Sequence, residues 1–139
     1  MEHESPSPSP VRIIIIGLIG IAFLIAAAST AMKTIDFLES AEVTPGVVSR
    51  LTAGGSHPEI RFTTLSGQQY EFPQGGFIFG YEKGMAVDVY YLPEDPGRTA
   101  VIKDPGAIWV IPATFGVFSI FALTHAVLGI RRRRKECGK

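Results

Sequence analysis

One cysteine, Cys137, and three histidines stand among the 139 residues, and that scarcity excludes a good deal. A lone cysteine near the C-terminus cannot close a disulfide within the chain, so the fold must rest on packing alone. Cys137 reads as a reduced thiol in a tail, with juxtamembrane acylation as the sharper alternative. Between residues 32 and 106 the sole histidine is His57, expected in a loop beside Pro58, which leaves a zinc site without ligands. The chain contains no H-E-x-x-H and no G-x-S-x-G, so neither a helical zinc centre nor a serine nucleophile on a sharp elbow is expected. Ser56 and His57 are adjacent, but neighbours in sequence rarely point at one another. Glu94 and Asp95 form the nearest approach to an acid–base pair, and the prolines at 93 and 96 assign them to a turn. Asp88 falls on the solvent face of a strand pattern. No cofactor motif is present: the glycines of residues 74–84 lack the Gly-Lys-Ser/Thr that a phosphate-binding loop requires. A non-enzymatic protein is expected.

Charge is the second absence, and it is local. Residues 13–31 and 107–130 contain no Asp, Glu, Lys or Arg. A helix rises about 1.5 Å per residue, so about 20 apolar residues cross the ~30 Å hydrocarbon layer of a bilayer. Both runs meet that length, and lipid offers no hydrogen bonds, which makes a continuous helix the natural form of each. Small residues four apart, Ala22 with Ala26 and Ala122 with Ala126, would let such helices approach closely. His125 is the single ionisable group inside either run. An intramembrane histidine is a functional candidate by default, as a proton relay. Its position under ~10 Å from the end of the run favours the plainer reading, a neutral imidazole reaching the other helix or interfacial water.

What is there fixes an orientation. Arg131, Arg132, Arg133, Arg134 and Lys135 abut the second run, and the positive-inside rule keeps such a block in the cytoplasm. The same block would meet anionic phospholipid headgroups. Residues 32–106 hold six basic and ten acidic residues, a net charge of −4, with no basic cluster to prevent export. That sign and that compartment also exclude nucleic acid as a partner. A cleaved signal peptide is the rival reading of the first run, with Ser29, Thr30 and Ala31 as small residues at a cleavage site. Against it, residues 1–10 carry two glutamates and no Lys or Arg, and the apolar core is long.

The intervening segment changes period. Residues 59–64 and 69–72 alternate apolar and polar side chains, which marks half-buried strands, and Ser66-Gly67 between them supplies a hairpin turn. Residues 85–92 form another strand, with Val87, Val89 and Tyr91 on one face. Residues 47–51 read as a strand opened by a turn at Pro45-Gly46, and residues 98–103 as a last strand. The glycine-rich residues 74–84 interleave Phe77, Phe79 and Tyr81, aromatics that would lie over a barrel end or dip toward the membrane interface. About five strands linked by tight turns are expected to curl or close, since an open edge invites aggregation.

The fold class is therefore membrane α plus all-β: two transmembrane helices flanking a small, roughly five-stranded antiparallel β-barrel-like domain. The expected divisions are a disordered cytoplasmic leader at 1–12 and a transmembrane helix at 13–32, continuing toward residue 41. An extracytoplasmic β-domain at 42–106, a second transmembrane helix at 107–130 and a basic cytoplasmic tail at 131–139 follow. Localisation is a bacterial inner or plasma membrane, with both termini inside.

The order of features resembles a known family. A span precedes Gly46-Val47-Val48, then come Pro58-Glu59-Ile60-Arg61-Phe62-Thr63 and Gly67, and Tyr81-Glu82-Lys83-Gly84-Met85-Ala86-Val87. Val89-Tyr90-Tyr91-Leu92-Pro93-Glu94-Asp95-Pro96, Ala100 and a span bearing Trp109 complete it. This is similar to the bacterial domain of unknown function 3592, over residues 30–129, with Leu92 departing from the Asp that many relatives carry before the proline. The resemblance implies a two-span architecture with an outer β-domain and brings no activity. Three functions fit. The first is an interaction module binding another envelope protein. The second is an immunity-type or stress-sensing protein, against a toxin acting at the membrane. The third is a small subunit of a transport complex, which would need a homo-oligomer because two helices leave little room for a pore.

Overall fold

Ser9 caps the first helix. In the computed structural model, which describes residues 9–52 and 57–137, the Ser9 hydroxyl accepts from the Arg12 backbone N–H at 3.3 Å. Pro10 occupies the first helical position, where its missing N–H is not needed. The helix α1 (Pro10–Ser40) thus takes in residues 10–12, which composition had assigned to the leader. Residues 1–8 of that leader lie outside the described residues. The second long helix, α4 (Val110–Cys137), carries the other apolar run and continues through the basic block, so Arg131 to Lys135 are helical rather than a separate tail. Between them lie β1 (Glu42–Thr52), β2 (His57–Thr63), β3 (Gln69–Pro73), β4 (Ala86–Tyr91) and β5 (Val101–Ile102). Two single helical turns, α2 (Pro96–Thr99) and α3 (Pro105–Ile108), precede β5 and α4.

The chain divides into two compact units, Met1–Thr30 with Ile111–Lys139 and Ala31–Val110. In the helical unit the two helices run antiparallel, with Gly17 facing Ala126 and Gly20 facing Leu123. A side chain at Gly20 would stand 2.8 Å from Leu123, so the close approach depends on that glycine. Ser119, fully buried, donates its hydroxyl to the Gly20 carbonyl at 2.9 Å. Phe23 packs on Phe115 and Phe118, with ring centroids 6.0 and 5.6 Å away. Small residues do mediate the contact, but Gly17 and Gly20 take the place expected of Ala22, which is exposed.

The other unit is a five-stranded antiparallel sheet in the order β3-β2-β1-β4-β5. Its buried face gathers Val48, Ile60, Phe62, Phe72, Val89, Tyr91 and Ile102. Phe62 is central, its ring 5.5–5.8 Å from those of Tyr70, Phe72 and Tyr91. The β2–β3 hairpin falls where alternation placed it, and β4 buries Val89 and Tyr91 on the face expected.

Three expectations need correction. Pro45-Gly46 is not a turn, because β1 runs straight through it at the centre of the sheet. Val48 bonds toward the β4 side, donating to the Met85 carbonyl, so Pro45, three residues away, faces β2, where a proline cannot donate. The Thr44 hydroxyl supplies the missing bond, donating to the Thr63 carbonyl at 2.8 Å. Residues 98–103 do not form one strand. Asp95-Pro96 starts a helical turn, Thr99 donates its hydroxyl to the Asp95 carbonyl at 2.7 Å, and only Val101–Ile102 pair with β4. His57, expected in a loop, is the first residue of β2.

The sheet is also not a closed barrel. β3 and β5 are its two edges, with no ladder between them. One side chain bridges them: Gln74, buried just beyond β3, accepts from the Ile102 N–H of β5 at 2.8 Å. Its amide donates to the Gly75 carbonyl at 2.6 Å, so the half-barrel is drawn together by a carboxamide rather than a strand pair. Gln74→Ala leaves a buried N–H without an acceptor, a loss of about 1–3 kcal/mol. Thermal unfolding of the full chain in detergent should show its midpoint lowered by at least ~5 °C, whereas Gln69→Ala, at an exposed position, should move it by little.

Candidate interaction site

The most distinctive surface of the β unit is the connection of residues 74–84 between β3 and β4. Within it Ile78 is buried in the core, while the flanking Phe77 and Phe79 are each 73% exposed. Their rings meet edge to face at 4.9 Å, a favourable geometry for two aromatics. Alternation about a buried isoleucine explains the arrangement: a short extended stretch that buries its centre must project both neighbours outward.

Several bonds hold this loop. The Phe77 N–H donates to the Gly106 carbonyl at 2.9 Å, and the Gly84 N–H to the Val48 carbonyl at 2.8 Å. The first of these needs glycine on both sides. Gly76 sits at φ 114° with the Gly106 carbonyl 2.8 Å from where its Cβ would be, and a Cβ on Gly106 would collide with the Phe77 carbonyl. Tyr81 donates its hydroxyl to Asp104 Oδ2 at 2.6 Å. The other oxygen of Asp104 caps α3 by accepting from the Gly106 N–H at 2.7 Å. The phenol is pushed up to about 12 by burial and then by the bond to Asp104. Phe77 and Phe79 are thus fixed outward by a loop with little freedom to withdraw them.

The outer side of the sheet is polar by contrast. An exposed network crosses β1, β2 and β3, with Arg50 paired to Glu59 and Arg61 to Glu71. It centres on a bulge at Ser49, where the β1–β2 register shifts. The Ser49 hydroxyl reaches both the Glu59 carbonyl and the Glu71 carboxylate. That hydroxyl is the main reason the Glu71 carboxyl is held below its usual range. Lys103 with Asp88 and Arg98 with Asp95 form further exposed pairs. Pairs of this kind contribute ~0–1 kcal/mol each, so they define a surface more than they stabilise it. At the far end of β4, Tyr91 accepts from the Leu65 N–H at 3.0 Å and donates to Glu42, tying the hairpin turn to the start of β1.

The residues singled out in the sequence lie in the helical unit. His125 is exposed on α4, beside the buried Ala126. Arg131, Arg132, Arg134 and Lys135 are exposed and Arg133 is half-buried. None of these gathers a catalytic constellation. Among the described residues no group of three or more His, Cys, Asp or Glu side chains could hold a metal ion. The aromatic loop escaped sequence reasoning as a site because alternation alone does not say which face of a loop is buried.

No family model matches the chain, so the resemblance to domain of unknown function 3592 gains no support, and no solved structure matches it. It is 40% identical over 117 residues to "Immune protein Tsi4" of Pseudomonas aeruginosa, a match covering 82% of this chain and 81% of that protein. The chain belongs to the family of that immune protein.

The tie between Tyr81 and Asp104 gives a pH signature. A phenol raised above its ordinary value stabilises the fold fully below pH ~10, and that stability is lost as pH rises through about 12. Tyr81→Phe should therefore unfold at a lower temperature than the wild type at pH 8, with the gap closing between pH 10 and 12. A gap independent of pH across that window would contradict the assignment.

Proposed function

We propose that the chain is a membrane-anchored, non-enzymatic immunity protein that binds and neutralises a toxin protein outside the cytoplasm. The kinship with an immune protein over four-fifths of both chains is the observation that carries this reading. It raises the immunity-type alternative above the general envelope interaction module, which it makes specific: the partner is a toxin.

Binding by the β-domain is supported by the fixed outward pair Phe77 and Phe79. Binding energy concentrates in a few aromatic anchors held rigid before contact, because little conformational entropy is then lost on association. The polar surface around Ser49 would supply the rim that excludes water around such anchors.

Membrane anchoring is supported by the two long apolar helices. Only 11% of the most apolar window of α1 and 17% of that of α4 is buried. The core helix of a water-soluble protein would be mostly covered, whereas Ile14, Leu18, Ile25, Phe118, Ile120 and Phe121 stand open. Lipid is a solvent that makes that exposure favourable. In this reading Arg131 to Lys135 hold both termini in the cytoplasm, the β-domain faces the opposite side, and α1 is retained as a span. His125 then lies near the inner boundary of the bilayer.

A strain lacking the chain should become sensitive to the toxin delivered by a neighbouring strain that carries both proteins, and re-expression should restore survival. The double substitution Phe77→Ala/Phe79→Ala should bind that toxin at least ~30-fold more weakly, the loss of one hot-spot anchor or more. It should fail to protect at equal membrane abundance. Unchanged sensitivity on deletion would sink the immunity reading, and full protection by the double variant would move the docking surface elsewhere.

A further inference from the structure

A cavity of about 500 Å³ lies along the two-helix unit, within the ~300–1,000 Å³ that holds a small apolar ligand. It is continuous from Pro10 to Ile21 along α1, with Gly17 and Ala126 among its lining residues. At the end beside Pro10 the lining changes character abruptly, to Arg133 and Arg134 of α4. Eleven residues separate Pro10 from Ile21, so the groove is roughly 16 Å long, matching one leaflet of a ~30 Å hydrocarbon core.

We infer that this groove is a binding site for one anionic phospholipid of the cytoplasmic leaflet, resting on the membrane reading above. An acyl chain lies along the apolar groove between the helices, over Gly17 and Ala126. The phosphodiester meets Arg133 and Arg134 at the level where the hydrocarbon ends. Three features select this occupant. The groove is apolar over one leaflet length, which suits a chain and not a peptide with unsatisfied backbone groups. Its charged end is cationic, which suits an anion, and guanidinium matches phosphate oxygens in pairs. Of the five basic residues in the block, only Arg133 and Arg134 line the groove. The site therefore separates a lipid-binding pair from residues that serve topology alone.

The test is native mass spectrometry of the full chain purified in detergent, with phosphatidylglycerol or phosphatidylcholine of matched acyl chains added. The wild type should retain a single phosphatidylglycerol and little phosphatidylcholine. Arg133→Gln/Arg134→Gln should weaken the affinity for phosphatidylglycerol, read from a lipid titration, by about 30-fold, the loss expected for two basic contacts, while Arg131→Gln/Arg132→Gln should stay close to wild type. Gly17→Leu, which fills the floor, should also lose the adduct with every arginine in place. Equal loss from both arginine pairs would mean a diffuse basic layer and would overturn the site. So would equal retention of both lipids, or an adduct that survives Gly17→Leu. Release of the wild type from membranes by alkaline carbonate would instead overturn the membrane reading, and the lipid site with it.

Discussion

The Gln74 carboxamide lies where three parts of the β-domain meet. It follows the last residue of one edge strand, accepts from the N–H of the other edge strand, and opens the loop that carries the exposed phenylalanines. A five-stranded sheet this small cannot bury a core between flat faces. It has to curl, and curling brings the edges within reach of each other without aligning them for a ladder. One buried side chain with an acceptor at one end and a donor at the other meets that geometry at the cost of a single ordered residue. From that point the chain can drop Ile78 into the core and turn Phe77 and Phe79 out. The carboxamide, the core and the presented aromatics are therefore one arrangement.

Much of this was legible in the sequence wherever a period was uninterrupted. The β2–β3 hairpin and β4 follow from side-chain alternation, since burial on one face of a strand imposes a repeat of two, and the two apolar helices follow from the length of their charge-free runs. Misreadings fell where a local signal was overridden by a distant partner. Pro45-Gly46 looks like a turn until the Thr44 hydroxyl is seen donating to Thr63, nineteen residues away. Residues 98–103 look like a strand until Asp95 and Thr99 close a helical turn ahead of them. Gln74 reads as an ordinary polar loop residue because nothing near it in sequence shows that Ile102 needs an acceptor. The exposed aromatics were noticed as a cluster, but their outward direction depends on Ile78 and on the close approach of Gly76 to Gly106, and neither is a sequence property.

The helical unit teaches the complementary lesson. Alanines at four-residue spacing suggested the contact; Ala126 serves in it opposite Gly17, while Gly17 and Gly20 take the place of the exposed Ala22, because the Leu123 side chain needs the space of a missing Cβ. The rest of the apolar surface is left uncovered. On the immunity reading proposed above, the chain separates its tasks by place. In that reading the helices and arginines hold the chain in lipid, the sheet keeps its shape, and a short loop offers the contact.

The central claim is that a toxin is met at that loop. Photo-cross-linking in intact cells tests it most directly, with a photoreactive residue at position 79 and, separately, at the exposed Thr63 of β2, during exposure to the toxin. The account predicts one toxin adduct from position 79 and little from 63. An adduct from 63 alone, or none from 79 in cells that the chain still protects, would contradict it.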